Sequence, residues 1–192
     1  MRTAHMPWGD PALDISGPDG YLLRFVAMLH RTPDELLALL TRGTDAQDAA
    51  LAGLDEHDYD LARAPGEWTI RQIVAHLVDG DTLSLLPNIK MALAEPGRTR
   101  VGSRWNQDIW SRALYAHLVV APSLALLRAN RAYLTALFAT QQEPWDRFVL
   151  LRAEDAEATG RQISVREELF NIASHTFEHV EVIRQTRQAH GC

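Results

Sequence analysis

A pair of histidines four residues apart, inside an apolar helical pattern, limits the possible folds of this chain more than any other sequence feature. Apolar residues recur at helical spacing across the segment 164–187, at Leu169, Ile172, Val180 and Ile183. His175 and His179 are about one helical turn apart, so they lie on the same helix face as Ile172 and Ile183. A bundle helix buries that face and usually carries Leu or Val there, so the two imidazoles are unusual.

The pair needs an explanation because a buried imidazole without a polar partner costs free energy. A divalent metal ion is one explanation, since histidines at i and i+4 can occupy two positions of a tetrahedral or octahedral ion. The alternative is a pair of hydrogen-bonded or half-exposed histidines without a metal. His175 and His179 alone do not decide between the two, and a third ligand elsewhere in the chain is needed.

The acidic composition argues against some classes of partner. The 192 residues suit a single domain, 1–192, with an ordinary content of 46% hydrophobic and 23% charged residues. A net charge of −6 without a Lys/Arg block predicts no nucleic-acid partner. No apolar run approaches about 18 residues and residues 1–10 lack a signal-peptide core, which predicts no membrane partner. The single cysteine, Cys192, cannot form an intrachain disulfide, which agrees with a cytoplasmic location.

Apolar periodicity predicts an all-α fold, namely a four-helix bundle with extra short helices. Residues 1–18 are rich in Pro, Gly and Asp and are expected to form a surface arm. Helical spacing starts near Asp19, and residues 32–35 (Thr-Pro-Asp-Glu) form a helix-start signature that marks either a new helix or a kink. Gly43 is the expected C-cap, and a short helix is expected over residues 46–54.

Two further long helices are expected on either side of the middle of the chain. One begins at Trp68 or Thr69 and ends near Ala94, and Pro87 should kink or split it because proline lacks the backbone N–H. The other is the histidine helix, in which Ser164 is the expected N-cap and Glu167 its partner in a capping box.

The remaining segments connect these helices. Residues 97–104 are expected to form a loop, residues 105–118 a helix, and Pro122 lies in the first turn of a further helix. Leu124, Leu127, Leu134 and Phe138 lie at core spacing in that last helix. Residues 144–160 are expected to form a loop that contains a short helix or a hairpin near 148–151.

His76 is the best candidate for a third ligand. It lies in the middle of a predicted helix beside an apolar face formed by Ile70, Ile73, Val74 and Leu77. The other histidines fall in loops or tails, or near helix ends: His5, His30, His57, His117 and His190. Taken alone, His76 is better interpreted as a core histidine with a polar partner, but together with His175 and His179 it completes a ligand set of the kind that helical bundles build from facing helices.

The segment 65–77, Pro-Gly-Glu-Trp-Thr-Ile-Arg-Gln-Ile-Val-Ala-His-Leu, resembles the start of the second helix in the DinB/YfiT-like superfamily. In that family a Trp precedes a helical His by eight residues, as Trp68 precedes His76 here, and a late helix carries His-x-x-x-His, as at His175 and His179. The resemblance implies a four-helix bundle in an up-down-down-up arrangement, often dimeric. It also implies a divalent metal site formed by His76, His175 and His179. One departure is Val182, where many relatives carry Gln.

The resemblance also implies a class of activity. Family members are described as metal-dependent hydrolases, and they include S-transferases that use bacillithiol, mycothiol or glutathione and a mycothiol-dependent maleylpyruvate isomerase. For this chain the implied cofactors are one divalent metal, zinc or nickel first and iron or manganese as alternatives, and a low-molecular-weight thiol. The implied partners are a small-molecule substrate and a second copy of the chain in a homodimer.

An ion held by three neutral histidines keeps at least one coordination position open, which suits catalysis. A thiol or a water molecule on the ion becomes more acidic, so either could attack an electrophilic substrate. The thiol would come from solution, because Cys192 is the last residue. The first hypothesis is therefore a metal-dependent S-transferase or hydrolase. The second is a non-catalytic, metal-stabilised bundle that acts as an interaction or stress-response module, for which a fourth protein ligand is expected.

Several other side chains are candidates for supporting roles. Asp79, one turn after His76, and Glu178, next to His179, could accept the outer N–H of a ligating imidazole, although each could equally belong to a solvated helix face. Candidates for the pocket mouth, with dimer packing as the alternative, are Trp105, Asp108, Trp110 and Arg112.

The residues from His175 to His179 also match the H-x-x-E-H signature of inverzincin proteases. In that interpretation Glu178 is the general base and His76 is not a ligand. The short chain, the lack of strand signals and the good third histidine all argue against it.

Overall fold

The computed structural model describes residues 2–102, 106–141, 143–153 and 160–192. The α-helices are α1 Pro33–Leu51, α2 Ile70–Asp79, α3 Leu86–Ala94, α4 Gln107–Ala113, α5 Val120–Ala139 and α6 Val165–His190. The strands are β1 Arg2–His5, β2 Pro11–Ser16, β3 Leu22–Val26, β4 Thr99–Gly102, β5 Phe148–Ala153 and β6 Arg161–Ser164. A π-helical segment, Gly80–Leu85, joins α2 to α3, and single 3₁₀ turns are present at Asp58–Asp60 and Tyr115–His117.

Helices α1 and α6 begin at the capping residues that the sequence predicts, and α2 begins after Thr69, one of its two expected starts. At the start of α1 the Thr32 hydroxyl accepts a hydrogen bond from the Glu35 N–H, and the Glu35 carboxylate accepts one from the Thr32 N–H. Thr69 forms the equivalent capping box at the start of α2. The Ser164 hydroxyl accepts from the Glu167 N–H at the start of α6, but the expected capping box is not completed, because the Glu167 carboxylate pairs with Arg161 instead. These side chains satisfy backbone donors that have no partner inside a helix.

Helix α1 corrects the expectation that Gly43 ends the first helix. The helix continues through Gly43 to Leu51, so residues 46–51 of the expected segment 46–54 form its last turns rather than a separate helix. A Cβ atom added to Gly43 would lie 3.5 Å from Cε2 of Phe177 and 3.6 Å from Cγ2 of Thr176. Gly43 therefore allows close packing of α1 on α6.

The N-terminal region corrects the all-α prediction. Strands β1, β2 and β3 form an antiparallel sheet where a surface arm and a first helix were expected. Trp8 anchors this region, since its side chain is buried and its ring meets Phe170 edge-on at 6.2 Å between centroids. The apolar residues of β3 fit a helical spacing, but backbone pairing with β2 decides their conformation instead.

A second small sheet also lies outside the all-α expectation. Strand β4, within the predicted loop 97–104, runs parallel to β5, and β5 is antiparallel to β6. The pairing of β5 with β6 confirms the hairpin expected near residues 148–151.

The four principal helical elements are α1, the α2–π–α3 unit, α5 and α6. Helix α6 contacts α1, α2 and α3, and α5 contacts α1 and α2. The helical bundle is therefore confirmed, and it is accompanied by two sheets, of which the sequence indicated only the pairing of β5 with β6. The predicted helix 105–118 is the short α4 followed by the 3₁₀ turn, and Pro122 lies in the first turn of α5 as expected. Among the described helices, none is by itself long and apolar enough to cross a membrane, and only α4 with its 3₁₀ turn together with α5, bent by 119°, meets that criterion as a pair.

The apolar core contains two large clusters along the bundle and a smaller third one. The small cluster contains Trp8, Leu39, Ala173 and Phe177. The first large cluster contains Leu36, Leu40, Leu86, Ile89, Leu134, Phe138, Leu169 and Ile172, and the second contains Ala50, Leu51, Ile73, Val74, Leu77, Leu124, Leu127, Val180 and Ile183. Buried polar side chains occupy the intervening level on each principal element: Gln47 on α1, His76 and Asp81 on the α2–π–α3 unit, Arg131 on α5 and Thr176 on α6. We call these five residues the polar layer.

The core assignment predicts a large difference between two substitutions. Ile172→Ala removes a side chain that is 0% exposed and should lower the free energy of unfolding by about 2–5 kcal/mol. Leu126→Ala alters a side chain that is 45% exposed and should change it by less than about 0.5 kcal/mol. Urea unfolding in the presence of EDTA measures both without a contribution from bound metal. Equal losses in the two variants would contradict the assignment.

Candidate metal centre

The three histidines identified in the sequence converge on one point. Nε2 of His175 lies 3.1 Å from Nε2 of His76 and 3.1 Å from Nε2 of His179. The ligand atoms of the three residues all lie within 4.8 Å of one another. Helix α6 supplies two of the rings and α2 supplies the third, so the cluster joins residues 99 positions apart in the chain.

This donor set fits a divalent cation. Two nitrogens that each lie about 2.1 Å from one ion are separated by roughly 3 Å, in agreement with the observed spacing. Hydrogen bonding among the rings explains the arrangement less well, because a neutral ring nitrogen offers either one N–H or one lone pair. The Nε2 atom of His175 therefore cannot both donate to one neighbour and accept from the other. A cation that accepts three lone pairs satisfies all three nitrogens.

The surroundings keep the rings in the neutral form that binds metals. Burial lowers the pKa of His76 to about 4. Burial, the neighbouring His76 and the Arg131 guanidinium lower the pKa of His175 to about 4. Burial and the other two histidines lower the pKa of His179 to about 3. At neutral pH each ring is thus neutral and has one nitrogen whose lone pair is available to a metal ion.

Two neighbours fix the orientation of the rings. The Trp68 ring packs on His76 with 4.8 Å between centroids and an interplanar angle of 58°. A Cβ added to Gly80 would lie 3.5 Å from Cε1 of His175, so the backbone of the π segment packs directly against that imidazole. The Gly80 N–H donates to the His76 carbonyl, which links this backbone contact to the helix that carries the third ligand.

The cluster faces a cavity of about 620 Å³, a size typical of small-molecule sites. Besides the three histidines, its wall contains Trp68, Gly80, Ser84, Leu85, Gln107, Asn171, Ser174 and Glu178. The wall thus combines two apolar side chains with several neutral hydrogen-bonding groups and one carboxylate.

The two predicted supporting carboxylates lie in different environments. Asp79 accepts a hydrogen bond from the Tyr115 hydroxyl, and within the described part of the chain Nδ1 of His76 is buried without a hydrogen-bond partner. Glu178 lies at the exposed rim of the cavity, where partial desolvation raises the pKa of its carboxyl group. The structure therefore brings Glu178 to the site and directs Asp79 to Tyr115.

None of the predicted pocket-mouth residues that the structure describes lines the cavity, although a neighbouring residue of the same helix does. Trp105 lies outside the described residues. Asp108 and Arg112 are exposed, and neither they nor Trp110 belong to the described cavity wall. From the same helix, Gln107 does line the cavity, and so do Ser84, Asn171 and Ser174, which sequence reasoning missed. Asn171 could have been found, since it lies one turn before His175 on the same helix face.

The chain belongs to the DinB superfamily. The sequence profile of that superfamily matches residues 28–183, which include both histidine motifs. No curated protein matches the chain significantly.

Solved structures show the same fold. YfiT from Bacillus subtilis, described as "a probable metal-dependent hydrolase with an unusual four-helix bundle topology", has a TM-score of 0.72 and 21% identity, over 87% of this chain and 94% of YfiT. The mycothiol-dependent maleylpyruvate isomerase has a TM-score of 0.63 and 19% identity, over 80% of this chain and 61% of the isomerase. A point variant of that isomerase has a TM-score of 0.59 and 18% identity over the same shares. The isomerase is thus considerably longer than the part that this chain resembles.

The lowered histidine pKa values predict how stability depends on pH when no metal is bound. The pKa of His175 rises from about 4 in the folded chain to an ordinary value of 6.5 on unfolding, so between these values the unfolded state binds more protons. The free energy of unfolding should therefore fall as the pH is lowered from 6.5 to 4. His175→Gln should reduce this fall by about 1–3 kcal/mol.

Urea unfolding of the two proteins in EDTA, from pH 7 to pH 4, measures the difference. The comparison of the two proteins isolates the contribution of the His175 imidazole to the pH dependence. Asp81 is present in both proteins, and its raised pKa of about 6 makes the free energy of unfolding change with pH in the opposite direction. Parallel pH profiles for the two proteins would contradict the assigned burial of a neutral His175.

Proposed function

We propose that this chain is a metal-dependent enzyme, a thiol S-transferase or a hydrolase, that acts on a small electrophilic substrate. One observation carries the proposal: three neutral imidazole nitrogens converge at the wall of a cavity large enough for a small molecule. Within the described residues, no carboxylate or cysteine joins the group as a fourth ligand. The arrangement thus leaves room for a substrate or a nucleophile beside the ion.

The open side of the cluster favours an enzyme over a non-catalytic module. Structural zinc sites usually have four protein ligands, often cysteines, and are closed to solvent. Here the chain's one cysteine, Cys192, is exposed just beyond the C-terminal end of α6 and does not belong to the histidine cluster. Zinc or nickel suits the three imidazoles, and iron and manganese are alternatives.

When bound, the ion would act as a Lewis acid that lowers the pKa of a thiol or a water molecule. His76, His175 and His179 would hold it. Trp68 and Leu85 offer apolar surface to the carbon skeleton of a substrate, and Asn171, Ser174, Ser84 and Gln107 offer hydrogen bonds. Glu178 has a raised pKa at the cavity rim and is placed to accept or return a proton during the reaction.

Several finer features belong to the proposal. The thiol, where one is used, would be a low-molecular-weight thiol from solution. The substrate is a small molecule, and neither nucleic acid nor membrane is involved. The up-down-down-up helix order, a homodimer and a cytoplasmic location remain predictions from the sequence.

The ligand assignment predicts that metal and activity are lost together. His76→Ala, His175→Ala and His179→Ala should each lower bound metal to well below one ion per chain and abolish turnover, because each removes one of three ligands. Elemental analysis measures the metal. Thiol consumption with a panel of electrophiles, together with ester hydrolysis, measures turnover with and without added thiol.

His117→Ala is the matched control, because His117 is exposed and lies outside the cluster. It should keep both the metal and the activity. Full metal content in any of the three cluster variants would overturn the ligand assignment. Wild-type protein that holds one metal per chain without turning over any member of either panel would instead support the non-catalytic module.

Glu178 offers a separate test of the proton-transfer role. Glu178→Gln should keep the metal but lower turnover about 10²–10⁴-fold, because the amide cannot accept a proton. Glu181→Gln, on the same helix but outside the cavity wall, is the control and should change neither quantity. Unchanged turnover in Glu178→Gln would remove Glu178 from the reaction while leaving the metal site intact.

A further inference from the structure

A buried ion pair lies beside the three histidines and joins three helical elements. Nη2 of Arg131, on α5, lies 3.2 Å from Oδ1 of Asp81, in the π segment. The same Nη2 atom donates a 3.0 Å hydrogen bond to Oγ1 of Thr176, on α6. Asp81 is 1% exposed and Arg131 is 5% exposed. Arg131 thus bridges the π segment and the histidine helix from within the core.

Fold stability does not explain this arrangement well. Among the described residues, Oδ2 of Asp81 and Nη1 of Arg131 are buried without a hydrogen-bond partner. Burial raises the pKa of Asp81 to about 6 and lowers the pKa of Arg131, so the surroundings disfavour both charges. Replacing such a pair by apolar residues of similar volume is often neutral or stabilising.

The π segment is a second unfavourable feature at the same position. A π-helical turn is rarer than an α-helical turn and is found frequently at functional sites. It begins at Gly80, immediately after the helix that carries His76, and it contains Asp81. Two costly features therefore occur together, next to the metal ligands.

The residues next to Asp81 and Thr176 in the sequence belong to the metal centre or contact it. Gly80 precedes Asp81 and packs against the His175 ring, and His175 precedes Thr176. Gly80 and Asp81 of the π segment thus face His175 and Thr176 of α6. Gly80 contacts His175 directly, and Arg131 joins Asp81 to Thr176. Since the Gly80 N–H also donates to the His76 carbonyl, the position of the π segment determines where His76 lies relative to His175.

We propose that Arg131 is a positioning residue for the metal centre: its contacts with Asp81 and Thr176 tie the π segment to α6 and thereby set the distance between the imidazole of His76 and those of His175 and His179. This inference rests on the proposed metal site. It assigns a role to a residue that touches neither the ion nor the cavity wall.

The test replaces the ion pair by apolar residues of similar size, in the double variant Asp81→Leu/Arg131→Met. The matched control is Asp48→Leu/Arg128→Met. It removes an exposed ion pair of the same residue types, 2.8 Å between Nη2 and Oδ1, formed by the same helix α5 three residues earlier. Circular dichroism and urea unfolding in EDTA establish that each variant is folded.

The readouts are the Co²⁺ affinity and the visible absorption of bound Co²⁺, which reports coordination number and geometry. We expect the Asp81/Arg131 variant to bind Co²⁺ about 10–100-fold more weakly and with an altered spectrum, as for other residues that orient metal ligands. The control should match the wild-type protein in both. A folded Asp81/Arg131 variant with wild-type affinity and an unchanged spectrum would overturn the proposal.

Single variants keep the proposal testable if the double variant does not fold. Arg131→Lys retains the charge but replaces the planar guanidinium by a compact ammonium on a flexible stem, which should not hold Asp81 and Thr176 in the same geometry, so it should still alter the Co²⁺ spectrum. Asp81→Asn should do the same by weakening the contact with the π segment. Unchanged spectra in both would overturn the proposal. Failure of the wild-type protein itself to bind Co²⁺ would instead refute the proposed metal site.

Discussion

The rest of the structure depends on one constraint, which is that three imidazole rings are buried together at a single point. Each ring is buried deeply enough to lower its pKa well below the ordinary value, yet the rings offer one another too few protons to form a complete hydrogen-bond network. A group that accepts several lone pairs at once explains the arrangement better than hydrogen bonding among the rings does. The apolar clusters on either side of the polar layer supply the burial that offsets its cost.

Features decided by local chemistry could be predicted from the sequence. Thr32, Thr69 and Ser164 cap helices because their hydroxyls reach a backbone N–H three residues away, an interaction that depends on nearby residues only. The histidine spacing on α6 is likewise a local signal. The convergence of His76 on that pair is not local, and it was predicted because two separate motifs together resemble one family.

Features decided by long-range pairing could not be predicted in this way. The apolar residues of β3 satisfy a helical spacing, and only hydrogen bonds to β2 select the extended conformation. Gly43 was expected to end a helix, because glycine is common at that position. Its close contact with Phe177 on α6 instead explains why a residue without a side chain occurs there. Ser84 and Gln107 carry no sequence signal for a binding site, because elements distant in the chain bring them to the cavity wall.

The polar layer shows why a site of this type needs a well-packed scaffold. Three ligands from two helices determine the position of an ion only if the helices cannot slide past one another. Apolar contacts alone tolerate small shifts, whereas a charged, hydrogen-bonded contact depends strongly on distance and angle. The apolar clusters stabilise the bundle, and the polar groups between the two large clusters select one alignment of the helices. The residues that make this level of the core less favourable for stability are thus the ones that make its geometry specific.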